Sequence, residues 1–209
     1  MPVPALEAQD VSMRRCGRSL VQRVSLTADR GELLALCGPE GSGTRTLLHL
    51  LSGHLLADAG RVLVDGRDRN PRRPGAPDPW PSPRRPDPRQ VAYGPEESAA
   101  LLVDPGTASV LLLERPTGGL DDADAHALMA SARQRADDGV AVVLTADGPE
   151  HVAAHATTLA LFVAGRLLSW GAPPVALVPA LHILGAGGLV PGVSAQGSGQ
   201  AGSIITSST

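Results

Sequence analysis

Nine residues, Gly38-Pro39-Glu40-Gly41-Ser42-Gly43-Thr44-Arg45-Thr46, follow directly on the apolar run of residues 32–37 (ELLALC) and lead into residues 47–53 (LLHLLSG). This order predicts a short strand, a glycine loop, and a helix that Gly53 closes. It brings several backbone N–H groups and the positive end of a helix to one point, which is what a bound phosphate requires. The loop nearly fits the pattern G-x-x-x-x-G-K-S/T. Thr44, however, stands where the lysine should be and Arg45 where the hydroxyl should be, with Thr46 supplying a hydroxyl one place late. The candidate phosphate-binding residues are Gly38, Gly41, Ser42, Gly43, Thr44, Arg45 and Thr46.

No other lysine can take over, because all 18 basic residues of the 209-residue chain are arginine. With 21 acidic residues the net charge is −3, which lacks the footprint of a dedicated nucleic-acid binder. Tyr93, Phe162, Trp80 and Trp170 are the whole aromatic set, so any base-stacking platform would have to use one of them. The two cysteines, Cys16 and Cys37, form no CxxC pair and no zinc spacing. The start of the chain has no basic segment followed by an apolar run, so a cytoplasmic protein is expected. Cys37 reads as a buried strand residue. His49 and His54 read as surface or core histidines, and so do His126, His151 and His155, with no metal site expected.

Strand candidates alternate with helix candidates along the chain. Residues 20–29 and 60–66 alternate in polarity and read as strands, the second ending in the turn pair Asp65-Gly66. Residues 110–113 and 140–144 are continuous apolar runs, as buried parallel strands require. Residues 97–103, 121–138 and 150–158 read as helices, and residues 159–163, 164–165 and 166–170 as strand, turn and strand. The pattern predicts an α/β domain over residues 1–175 with a mostly parallel central sheet flanked by helices. Eight prolines among residues 71–88 exclude helix and central strand there, so residues 71–90 are expected to be a solvated linker, with a docking segment for a proline-reading partner as the alternative. The 43 residues after Arg166 carry no Asp, Glu, Lys or Arg, and residues 176–209 are expected to form a low-complexity, disordered tail. The apolar window 175–193 contains too many glycines and prolines for a membrane span.

Residues 6–172 resemble the nucleotide-binding subunit of an ABC transporter, a P-loop NTPase-like fold. The match runs through Asp10-Val11-Ser12, Val24-Ser25-Leu26 before Gly31-Glu32, the loop 38–46 and residues 60–66. Its most specific part is residues 111–121 (LLLERPTGGLD), similar to the family's strand-and-loop string LLLLDEPTxGLD. The resemblance implies ATP and Mg²⁺ as ligands, the metal held through Thr46 and the Walker B-like Glu114. It also implies a transmembrane subunit or a second ATP-binding subunit as partner, a place at the inner face of the cell membrane, and a D-loop aspartate at Asp121.

The catalytic positions depart from the family pattern. Thr44 replaces the phosphate-contacting lysine and Glu114 the metal-binding aspartate. Arg115 stands where a glutamate would activate water, and a guanidinium, which keeps its proton, is no general base. Ala146 occupies the place of the switch histidine, and Cys16 that of the adenine-stacking aromatic. No LSGGQ-like string occurs, so the helical subdomain carrying it is expected to be truncated; residues 91–96 faintly resemble the segment before it, with Glu96 in place of its glutamine. The expected function is a degenerate ATP-binding subunit with weak nucleotide binding and impaired or absent hydrolysis. The alternative is a non-catalytic pseudo-ATPase scaffold or regulator, or a decayed gene product, since an all-arginine chain fits a GC-rich gene whose shifted frame also reads as Pro, Gly, Ala and Arg.

Overall fold

A computed structural model describes residues 3–68, 91–94 and 108–173. The proline-rich linker 71–90, the helix expected at 97–103, Glu96 and the tail 176–209 lie outside the described residues. Among the described residues ten strands fall in two sheets. β1 (Leu6–Arg15), β2 (Arg18–Ala28), β4 (Ala59–Val64) and β5 (Arg67–Asp68) make an antiparallel sheet in the order β2-β1-β4-β5. The second sheet contains β3 (Leu33–Cys37), β6 (Val91–Gly94), β7 (Val110–Leu113), β8 (Ala141–Ala146), β9 (Thr158–Val163) and β10 (Arg166–Gly171), in the order β10-β9-β3-β8-β7-β6. All its pairings are parallel except β9 with β10.

The central strands are buried on both faces because each face has its own partner. Strand side chains alternate, so Leu34 and Leu36 of β3, Leu112 of β7 and Val143 of β8 point one way. They join Leu47, Leu48 and Leu51 of α1 (Thr44–Ser52) and the antiparallel sheet in one core. Leu33, Ala35, Cys37, Leu111, Leu113, Val142 and Leu144 point the other way, against Met129, Ala132 and Ala136 of α2 (Asp122–Asp137). Alanines on the inner face of α2 let that helix lie close to the sheet. Two-residue turns with both φ angles positive close three hairpins: Cys16-Gly17, Asp65-Gly66 and Ala164-Gly165.

One expectation needs correction, and one strand was not foreseen. No regular helix forms over residues 150–158. Pro149 O accepts from the N–H groups of Val152 and Ala153, and Val152 O from those of His155 and Ala156, so two separate turns stand where a continuous ladder was expected. β1, unassigned from sequence, is a ten-residue strand whose register shifts between Ala8 and Val11 and twice more before Arg14. Those irregularities break the period-two pattern that would have revealed it. Cys37 is buried as expected; burial first, and the charge of Glu150 second, push its thiol pKa up to about 12.

Leu36 is fully buried at the centre of the sheet. Leu36→Ala is expected to lower the unfolding free energy by about 2–5 kcal/mol, read from the urea midpoint with an unchanged m-value.

Candidate functional site

The glycine loop is held between the two sheets by backbone hydrogen bonds. Gly38 N–H donates to Ala146 O at the end of β8 (3.2 Å), and Gly165 N–H, in the β9–β10 turn, donates to Ser42 O (2.7 Å). Gln22 N–H of β2 donates in turn to Gly165 O (2.8 Å). Gly43 has φ 102°, and a Cβ there would stand 2.3 Å from Leu20 O, so both the conformation and the space demand glycine. Gly43 is the N-cap of α1 without a side-chain cap, and the N–H groups of Thr44, Arg45 and Thr46 have no acceptor within the helix. Ser42 and Thr44 are buried, their hydroxyl oxygens 3.4 Å apart. This arrangement fits an anion at the loop mouth: backbone donors converge there, and the helix end adds its partial positive charge.

Glu114, just past β7, is 1 % exposed, and three groups meet its carboxylate. Tyr93, near the end of β6, donates its hydroxyl to Oε2 at 2.5 Å. His49 Nε2 lies 3.1 Å from the same oxygen and 2.9 Å from the Tyr93 hydroxyl oxygen. Since the tyrosine proton is directed to Glu114, both neighbours of Nε2 accept, and Nε2 carries a proton. Arg45 Nε stands 2.6 Å from Oε1 as an ion pair, without the alignment of a hydrogen bond; Oε1 is the one buried side-chain oxygen or nitrogen among the described residues that accepts none. Burial alone would raise the Glu114 pKa. The Tyr93 and His49 hydrogen bonds, with the charge of Arg45, outweigh it and hold the carboxyl below its ordinary value of 4.5.

Of the expected site residues, the structure therefore brings Arg45 and Glu114 together. Thr46 is not among the groups bonded to the Glu114 carboxylate. His49 and Tyr93 were not assigned to the site from sequence. Arg45 and His49 are four apart on α1, the spacing that puts two side chains on one helix face, and that was the available signal. Tyr93 gave none, because its place follows from the pairing of β6 with β7. A divalent cation does not fit at Glu114 as arranged here, because Oε2 is occupied by two donors and Arg45 Nε holds the space in front of Oε1.

Arg115 has φ 42°, donates its N–H to Thr145 Oγ1 (2.9 Å) and pairs its guanidinium with Asp147 (2.9 Å). The guanidinium of Arg115 is thus paired with the residue that follows Ala146. Asp121 caps α2, its Oδ1 accepting from Asp124 N–H at 2.8 Å. Cys16 is exposed, in the turn between β1 and β2.

A model of the ABC transporter family matches residues 21–142, more than half of the chain. A 63-residue stretch is 43 % identical to the hemin import ATP-binding protein HmuV of Rhizobium meliloti, covering 30 % of this chain and 24 % of that protein. Another match of 63 residues is 40 % identical to the intermembrane phospholipid transport system ATP-binding protein MlaF of Escherichia coli K12, covering 30 % of this chain and 23 % of that one. These matched stretches span about a quarter of the curated relatives. In fold the chain is similar to cbiO1 of Clostridium perfringens, part of the ABC transporter complex cbiONQ, with a TM-score of 0.66 at 15 % identity over 86 % of this chain and 95 % of that one. An ATP-binding cassette of an ABC transporter in its ADP conformation gives a TM-score of 0.67 at 13 % identity, covering 81 % and 91 %. The fold is accordingly the α/β P-loop NTPase type.

The Glu114 cluster makes acid stability a readout. A carboxyl whose folded pKa lies below its unfolded value contributes stability that is complete above about pH 4.5 and is lost as the pH falls through the folded value. Tyr93→Phe removes a donor and lets the folded value rise towards the unfolded one. It is expected to cost about 1–3 kcal/mol at neutral pH and to flatten the acid loss, measured as urea midpoints from about pH 7 to about pH 3.

Proposed function

Because the chain belongs to the ABC transporter family, we propose that it is an ATP-binding subunit of a transporter whose site binds nucleotide weakly and does not hydrolyse it unaided. Residues 1–175 serve as the nucleotide-binding domain, residues 71–90 as a linker within it, and residues 176–209 as a tail. The observation that carries the reading is a loop whose backbone is shaped for phosphate while its catalytic side chains are replaced. Gly38, Gly41, Ser42 and Gly43 form the cradle, and the uncapped first turn of α1 faces it.

Without a lysine at Thr44, the site lacks a charge-assisted contact of about 1.5–3 kcal/mol, which is one to two decades in affinity. Arg115 supplies no base, and its ion pair with Asp147 directs its charge to the side. The sequence between α1 and β7 holds no LSGGQ-like string, so a second ATP-binding subunit could not be completed in the family's manner by this chain. No helix among the described residues is long and apolar enough to cross a membrane. A transmembrane subunit would supply the path for the solute, with this chain at the inner face of the membrane. The paired Arg115 also favours a second reading, a pseudo-ATPase that acts through protein contacts alone.

Titration of the full chain with ATP separates the two. Binding in the high-micromolar to millimolar range is expected, tightened about tenfold or more in Thr44→Lys, with phosphate release at background in both. A folded chain that shows no binding even as Thr44→Lys would leave only the scaffold reading, and ready hydrolysis by the unmodified chain would overturn both.

A further inference from the structure

The phosphate loop carries a cation of its own. Arg45 is the second residue of α1, where the Cα–Cβ bond tilts toward the helix N-terminus and the uncapped N–H groups. Its Nε stands against Oε1 of the buried Glu114, while its side chain is 69 % exposed. Among the described residues its two terminal nitrogens make no hydrogen bond. Glu114 is held from behind by Tyr93 and His49, so the carboxylate that anchors Arg45 is itself fixed.

We propose that Arg45 takes the place of a divalent cation in this site, so that the loop 38–46 binds a nucleoside triphosphate free of metal. The inference rests on the nucleotide-binding reading above and deepens it. A guanidinium is a planar fork of five donors; with Nε against the carboxylate, its two terminal nitrogens match the spacing of phosphate oxygens. Anchoring on Glu114 removes part of the side-chain freedom that binding would otherwise cost. A divalent cation on Oε1 would need an approach of about 2.0–2.6 Å, the space that Nε now holds, and would set a second positive centre against one buried negative charge. The two cations therefore exclude each other, and the resident one is covalently part of the chain.

The test is a pair of equilibrium titrations of the full chain with ATP, one in excess Mg²⁺ and one in excess EDTA, repeated with Arg45→Ser. The unmodified chain is expected to bind in EDTA within about twofold of its affinity in Mg²⁺. Arg45→Ser, shown to be folded by circular dichroism, is expected to bind about tenfold or more weakly in EDTA and to regain affinity in Mg²⁺, because the freed carboxylate then accepts the metal. Binding by the unmodified chain that vanishes in EDTA but persists in Mg²⁺ would overturn the proposal and leave the nucleotide-binding reading standing. Absence of binding in both conditions would overturn both. Equal affinity of Arg45→Ser and the unmodified chain in EDTA would overturn the proposal alone. Should the variant not fold, the two titrations of the unmodified chain decide.

Discussion

One residue, Gly165, ties the glycine loop to both sheets. Gly165 donates its N–H to Ser42 and accepts from Gln22, so the turn of the β9–β10 hairpin stands between the loop and β2. Gly43 fits this clamp only because it has no side chain, since a Cβ there would stand 2.3 Å from Leu20 O. From that anchor the direction of α1 follows, and with it the side of the sheet onto which Leu47, Leu48 and Leu51 pack. The antiparallel sheet is thus both a wall of the core and the support that sets where an anion can sit.

A second constraint is electrostatic. A carboxylate buried as deeply as Glu114 is costly unless its charge and lone pairs are answered. Two elements answer it, α1 with Arg45 and His49 and β6 with Tyr93, while Glu114 itself stands just past β7. Losing one partner leaves a charge in an apolar surround, so the cluster welds the loop helix to the sheet edge as well as setting the site's charge. The same network stands in front of the carboxylate where a metal would bind. At the neighbouring position Arg115 turns to Asp147, so two arginines of the site, Arg45 and Arg115, each have a carboxylate partner.

Much of the central sheet was legible because buried parallel strands read as unbroken apolar runs, as residues 110–113 do, and because Ala164-Gly165 and Asp65-Gly66 are turn pairs with one conformation. β1 was not legible: Asp10 takes a positive φ and the register slips around it, so the alternation that signals a strand is lost. Residues 150–158 misled in the opposite sense, because helix-compatible composition there is used for two turns. Asp121, flagged as a loop aspartate, acts as the cap of α2, a role its position ahead of an alanine-rich helix allows.

The residue types at the site were decided by the sequence alone: no lysine in the whole chain, arginine at positions 45 and 115, and a glycine loop ahead of a helix. These are statements about chemistry and local backbone, and local order along the chain is enough to make them. Only the tertiary structure decided that Arg45 meets Glu114, with His49 and Tyr93 behind it. Those four residues lie up to 69 positions apart, and what joins them is the parallel pairing of β6 with β7 beside a helix that a backbone clamp has aimed. Charge compensation in a buried place depends on which strands are neighbours, and strand order is set by packing over the whole domain.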